Sequence, residues 1–95
     1  FYPAEIENVL LSHELINDAG VKGIPSQKWG ESPLAVIVRS DDSLSEEDVI
    51  NHCEGKLAPF KTVKAVEFID VIPRNASGKI LKRELRELYN YDAAE

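Results

Sequence analysis

The chain has 95 residues, of which 43% are apolar and 29% charged, ordinary values for a single globular domain with a core. Its one cysteine excludes an internal disulfide, and no stretch resembles a signal peptide or a membrane span, so a reducing, cytoplasmic setting is expected. The net charge of −6 is uneven: residues 1–54 carry three basic and eleven acidic side chains, residues 55–95 eight and six, so the first half argues against a nucleic-acid surface while the second suits a phosphorylated ligand.

Pro3 is well placed for the first turn of a helix, and Glu5 and Glu7 complement the positive end of its dipole. Ile6, Val9, Leu10 and His13 trace one face at helical spacing. His13 flanks this helix, since no cluster with metal-ligand spacing surrounds it. Asn17, Asp18 and Gly20 break the pattern, and residues 21–24 read as a short strand closed by Pro25. Residues 26–32 form a polar loop in which the Trp29 ring packs over a domain edge. Residues 34–38 are a continuous apolar, β-branched run, the expected central strand, forming a long-looped hairpin with the first.

Ser45 is a good N-cap for a second helix, with Asp48 at the capping-box position and Val49, Ile50, Cys53 and Leu57 on its buried face. Cys53 reads as a small core residue, and its neighbour His52 must project elsewhere. Gly55 and Pro59 weaken and end the helix. Phe60-Lys61-Thr62-Val63-Lys64 interleaves an aromatic ring with two amines and no acid. Such a pattern can stack a base and meet phosphates, or simply lead a buried ring into the next strand. Val66 and Phe68 alternate around Glu67 as the third strand.

Residues 73–79, Pro-Arg-Asn-Ala-Ser-Gly-Lys, are rich in turn formers, and after them Leu81, Leu85, Leu88 and Tyr89 fall at helical spacing. A tight loop therefore holds Lys79 at the start of an anchored helix, whose Lys82, Arg83 and Arg86 form a solvated face. A primary amine beside Gly78, where a ligand can approach the backbone, suits a phosphate or carboxylate oxygen. It is not a P-loop: the positions that would need Gly and Ser or Thr hold Pro73 and Ile80. The fold expected is α+β, a small, mainly antiparallel three-stranded sheet with packed helices.

The whole stretch from Pro73 to Arg86 closely resembles the last core motif of the adenylate-forming superfamily, which includes acyl-CoA synthetases, luciferases and peptide-synthetase adenylation domains. Tyr2-Pro3-Ala4-Glu5-Ile6-Glu7 resembles the end of the family's hinge motif. Gly23-Ile24-Pro25, Trp29-Gly30-Glu31 and Pro59-Phe60-Lys61 recur in family order and at about family spacing, so the resemblance spans essentially all of residues 1–95.

The resemblance implies a C-terminal lid domain of an AMP-forming acyl-CoA synthetase, with fatty-acyl or aryl-acid CoA ligases most similar. Its partner would be an N-terminal AMP-binding domain that binds ATP and a carboxylic acid. The amine of Lys79 would stabilise charge during acyl-adenylate formation, and after rotation the lid would present Phe60, Lys61 and Lys64 to CoA. Magnesium would be held by the N-terminal domain, and the isolated lid would be inactive. Thr62 departs from the basic residue some relatives carry. In a cytoplasmic enzyme the glycosylation-like Asn75-Ala76-Ser77 carries no meaning. An adenylation domain serving a carrier protein, or a binding module without chemistry, remain the alternatives.

Overall fold

The computed structural model describes residues 2–26, 30–58 and 61–89. In chain order they form α1 (Pro3–Leu11), β1 (Ile16–Ser26), β2 (Gly30–Arg39), α2 (Glu46–Cys53), β3 (Ala65–Phe68) and α3 (Lys82–Leu88). The sheet order is β1-β2-β3. The longer ladder, from Ile16↔Arg39 to Ser26↔Gly30, is antiparallel. The shorter one, from Leu34↔Ala65 to Ile37↔Phe68, is parallel, with α2 lying in the crossover that parallel strands require.

β2 is central, and its unbroken apolar run has a physical reason. Ala35 and Ile37 face one cluster with Ile6 and Leu10 of α1 and Val49 and Cys53 of α2. Leu34 and Val36 face the other, with Ile24, Ile72 and Leu85 of α3. Successive strand residues point to opposite faces, so a strand covered on both sides must be apolar at every position.

The helix starts follow local rules. Pro3 opens α1. The Ser45 hydroxyl accepts from the Asp48 N–H at 3.1 Å while the Asp48 carboxylate accepts from the Ser45 N–H at 3.0 Å, a complete capping box on α2. Cys53 is buried, whereas the His52 Nε2 lies 2.9 Å from the Val9 carbonyl and meets His13 edge-on at 4.9 Å. His13 does flank α1: its Nδ1 accepts the Leu15 N–H at 3.0 Å.

Four expectations are corrected. β1 does not begin at Val21 but runs through Asn17, Asp18 and Gly20, with a bulge between Ile16 and Asp18. Long antiparallel pairing to β2 overrides the poor strand propensity of these residues. A Cβ at Gly20 would lie 3.2 Å from the Ile80 Cδ1, so a larger residue there would push that methyl aside by a few tenths of an ångström. Residues 26–32 are not one polar loop, since Ile24↔Ser32, Pro25↔Glu31 and Ser26↔Gly30 extend the ladder; Trp29 lies outside the described residues. α2 ends at Cys53, before Leu57, which packs from outside the helix. α3 starts at Lys82, three residues after Lys79, because Ile80 is held extended by a bridge to Arg74.

Candidate functional site: the lysine loop and its cleft

Residues 74–80 close a tight hairpin on themselves. Arg74 and Ile80 form an antiparallel bridge, and the Asn75 N–H donates to the Lys79 carbonyl at 2.9 Å. The Asn75 side chain supplies the second layer: its Oδ1 accepts the N–H of Ser77 at 2.9 Å and that of Lys79 at 3.0 Å. An Asx-type turn of this kind is what Asn offers a loop, and it gives Asn75 a structural use. Gly78 closes the turn at φ +85°, in the left-handed region that glycine adopts without steric cost.

The loop forms one wall of an open cleft. Pro3, Ala4 and Glu7 of α1 form the other, with Arg74, Lys79, Ile80 and Lys82 between. Two of its three cations are committed inward. Arg74 grips the Asp18 carboxylate with Nη2 at 2.7 Å and Nε at 3.3 Å, and its Nη1 donates to the Gly78 carbonyl at 2.7 Å. Lys82 Nζ pairs with the Glu7 carboxylate at 3.3 Å and donates to the Val21 carbonyl. Lys82 is therefore not part of a solvated face. β1 is an edge strand, and its outward carbonyl needs a donor. Lys79 is exposed, and its ammonium has no hydrogen bond or ion pair among the described residues.

The lysine loop is tied to the sheet through α3 as well. Glu7 accepts the Val21 N–H at 2.9 Å, so one Glu–Lys pair satisfies both outward backbone groups of Val21. At the far end of α3, Lys22 Nζ donates to the Tyr89 carbonyl at 2.9 Å. Lys22 is only 9% exposed. Burial lowers its pKa from the ordinary lysine value, and the nearby Arg86 adds to this, while Glu31 opposes it.

Of the second stretch, Lys61 meets the opposite flank of α1. Lys61 Nζ pairs with Glu5 at 3.0 Å, with Lys61 a quarter exposed and Glu5 about half. Glu5 and Glu7 are two residues apart and so about 200° apart around the helix. The first turns of α1 thus separate Lys61 from the Lys79 cleft. Lys64 is exposed, and its N–H donates to the Pro33 carbonyl of β2 at 3.1 Å. Phe60 lies outside the described residues. Among those described, no group of three or more His, Cys, Asp or Glu side chains could hold a metal ion, and no helix is long and apolar enough to cross a membrane.

The spacing of residues pointed to Lys79, Gly78 and the basic stretch, but not to Asp18, Glu7 or Lys82 as parts of the cleft. Asp18 and Arg74 are 56 positions apart, and Glu7 and Lys82 are 75 apart. The one signal was compositional: an acidic first half facing a basic second half.

Comparison with known proteins agrees with this geometry. The sequence profile of the family described as AMP-binding enzyme C-terminal domain matches residues 5–79, from the first turn of α1 to the loop lysine. A 2-succinylbenzoate–CoA ligase of Bacillus cereus is 51% identical over 87 residues, covering 92% of this chain and 18% of that protein. The Mycobacterium tuberculosis fatty acyl CoA synthetase superposes with a TM-score of 0.84 at 43% identity, over 93% of this chain and 18% of that one. The o-succinylbenzoate CoA synthetase of Bacillus subtilis, solved with an acyl-adenylate intermediate, gives a TM-score of 0.84 at 38% identity, over 100% and 18%. The chain thus spans under a fifth of the length of these relatives, and it belongs to the family of AMP-binding enzyme C-terminal domains.

Proposed function

We propose that the chain is the mobile lid of an AMP-forming acid–CoA ligase, and that Lys79 is its catalytic residue. The observation that carries this reading is the pattern of partners in the cleft: Arg74 and Lys82 are bonded inward, and the Lys79 ammonium alone of the three is left for a ligand among the described residues. The relatives, by their names, join CoA to carboxylic acids, and one was solved with an acyl-adenylate. Transferred to this chain, the substrates are ATP, a carboxylic acid and CoA, and the partner is an N-terminal AMP-binding domain of the same enzyme. 2-Succinylbenzoate is the first acid to test, with fatty acids second.

The mechanism follows from charge. Attack of the acid carboxylate on the ATP α-phosphate brings two anionic partners together, and a fixed cation between them lowers the barrier electrostatically. Lys79 has no nucleophilic role. Magnesium would neutralise the leaving pyrophosphate, with its ligands supplied by the N-terminal domain. Once the adenylate has formed, the lid rotates, Lys79 withdraws, and Phe60, Lys61 and Lys64 receive the CoA nucleotide; Gly78 lets the first ligand approach the backbone. That Lys61 and the Lys79 cleft meet different faces of α1 supports a domain that works in two orientations. A cytoplasmic setting belongs to the same reading.

The test times the two half-reactions separately in the full-length enzyme. Lys79→Ala should slow acyl-adenylate formation by about 10²–10³. Lys79→Arg should rescue little, since a planar fork cannot place one point charge between two oxygens. Thioester formation from supplied acyl-adenylate should stay near wild type. Equal losses in both steps would refute the role.

A further inference from the structure

We propose that Asp18 is a positioning residue for Lys79, acting through Arg74; this rests on the lysine role argued above and extends it to the sheet. The peptide unit joining Gly78 to Lys79 is held at both ends. Its N–H donates to Asn75 Oδ1 at 3.0 Å, and its carbonyl accepts from Arg74 Nη1 at 2.7 Å. With the next plane held too, by the Asn75 N–H on the Lys79 carbonyl at 2.9 Å, both dihedrals of Lys79 are set, and with them the direction of its Cα–Cβ bond.

Arg74 can hold the carbonyl only if its own guanidinium is held. Asp18 does this with both carboxylate oxygens, taking Nη2 on Oδ1 at 2.7 Å and Nε on Oδ2 at 3.3 Å. A two-point Arg–carboxylate grip sets orientation as well as distance, which a lysine in place of Arg74 could not reproduce. The carboxylate is itself oriented by the Ala19 N–H, which donates to Oδ1 at 2.9 Å. Asp18 sits on β1, beside the bulge, in a strand paired along its length with β2. The chain of contacts therefore runs from a rigid strand, through Arg74, to the peptide that aims the lysine. With a contact from each of its three nitrogens engaged inside the domain, Arg74 serves as a holder of the loop.

Asp18 and Arg74 are each about a third exposed, so replacing either should leave the domain folded. In the full-length enzyme, Asp18→Asn and Arg74→Lys should each lower the rate of acyl-adenylate formation about tenfold at saturating ATP and acid, with little change in KM, because small displacements of a reacting group are costly. Asp18→Glu should recover part of the loss. Thioester formation from supplied adenylate should stay within about twofold. In a Lys79→Ala background, Asp18→Asn should cause no further loss, since the residue it serves is gone. A loss that persists in that background, equal losses in both half-reactions, or a loss that tracks a fall in Tm would overturn the proposal. If Lys79→Ala is crippled while Asp18→Asn is unaffected, the positioning role alone fails. If Lys79→Ala leaves adenylation intact, the lysine role fails and Asp18 has nothing to position.

Discussion

Glu7 is the side chain through which the first helix, the sheet edge and the last helix are joined, and its removal should be felt in stability. Its Oε2 accepts the Val21 N–H at 2.9 Å and the Lys82 ammonium at 3.3 Å. A hydrogen bond to a charged acceptor contributes about 1.5–3 kcal/mol net. The ion pair adds less than about 0.5 kcal/mol, because the Lys82 side chain is 41% exposed and solvent screens it. Glu7 lines an open cleft, so water can reach the Val21 N–H once the side chain is cut back, which places the cost at the low end. Glu7→Ala should therefore destabilise the 95-residue chain by about 1.5–2 kcal/mol, a fall in Tm of about 6–16 °C for a domain of this size. Glu7→Gln keeps an acceptor for Val21 and loses only the charge, so it should cost about half as much. Urea unfolding followed by circular dichroism at neutral pH measures both. High salt should shrink the ion-pair share and leave the gap between the Ala and Gln variants. A cost for Glu7→Ala below about 0.5 kcal/mol, or a Gln variant as damaged as the Ala one, would refute the bond to Val21.

The capping box gives a second stability test: Ser45→Ala should cost about 1 kcal/mol in the same unfolding assay. Its acid half is readable by pH. The Ser45 N–H, then the Ser45 side chain, hold the Asp48 pKa below its ordinary 3.8. Since the folded value is depressed, the stabilisation is present above 3.8 and is lost as pH falls through the lower folded value, so Asp48→Asn should flatten the acid limb of the stability curve below about pH 4. In the Phe60–Lys64 stretch, Phe60→Ala combined with Lys64→Ala should raise the KM for CoA about tenfold and spare acyl-adenylate formation, because base stacking on an aromatic ring is worth about 1–3 kcal/mol. A KM within about twofold of wild type would mean that this stretch does not meet the nucleotide.

What the sequence determined by itself was local. Pro3 and the Ser45/Asp48 box set where α1 and α2 begin, since a helix start depends on the few residues that satisfy its own free N–H groups. The apolar run of residues 34–38 announced the central strand, because only a strand covered on both faces lacks alternation. The turn formers of residues 73–79 announced the loop and its lysine. The tertiary structure decided everything that depends on a partner distant in the chain. β1 extends through Asn17, Asp18 and Gly20 because β2 supplies its hydrogen bonds, whatever the propensity of those residues. β3 pairs in parallel because α2 carries the chain across the sheet. Lys82 turned from a solvent-facing cation into a strand-edge donor because Val21, 61 positions away, presents an outward carbonyl. The sequence picks out Lys79 beside Gly78 but does not say which of Arg74, Lys79 and Lys82 has an acid to pair with. The structure separates them by which acid each one meets: Asp18 and Glu7 take two of the three cations, and the cleft is left with one.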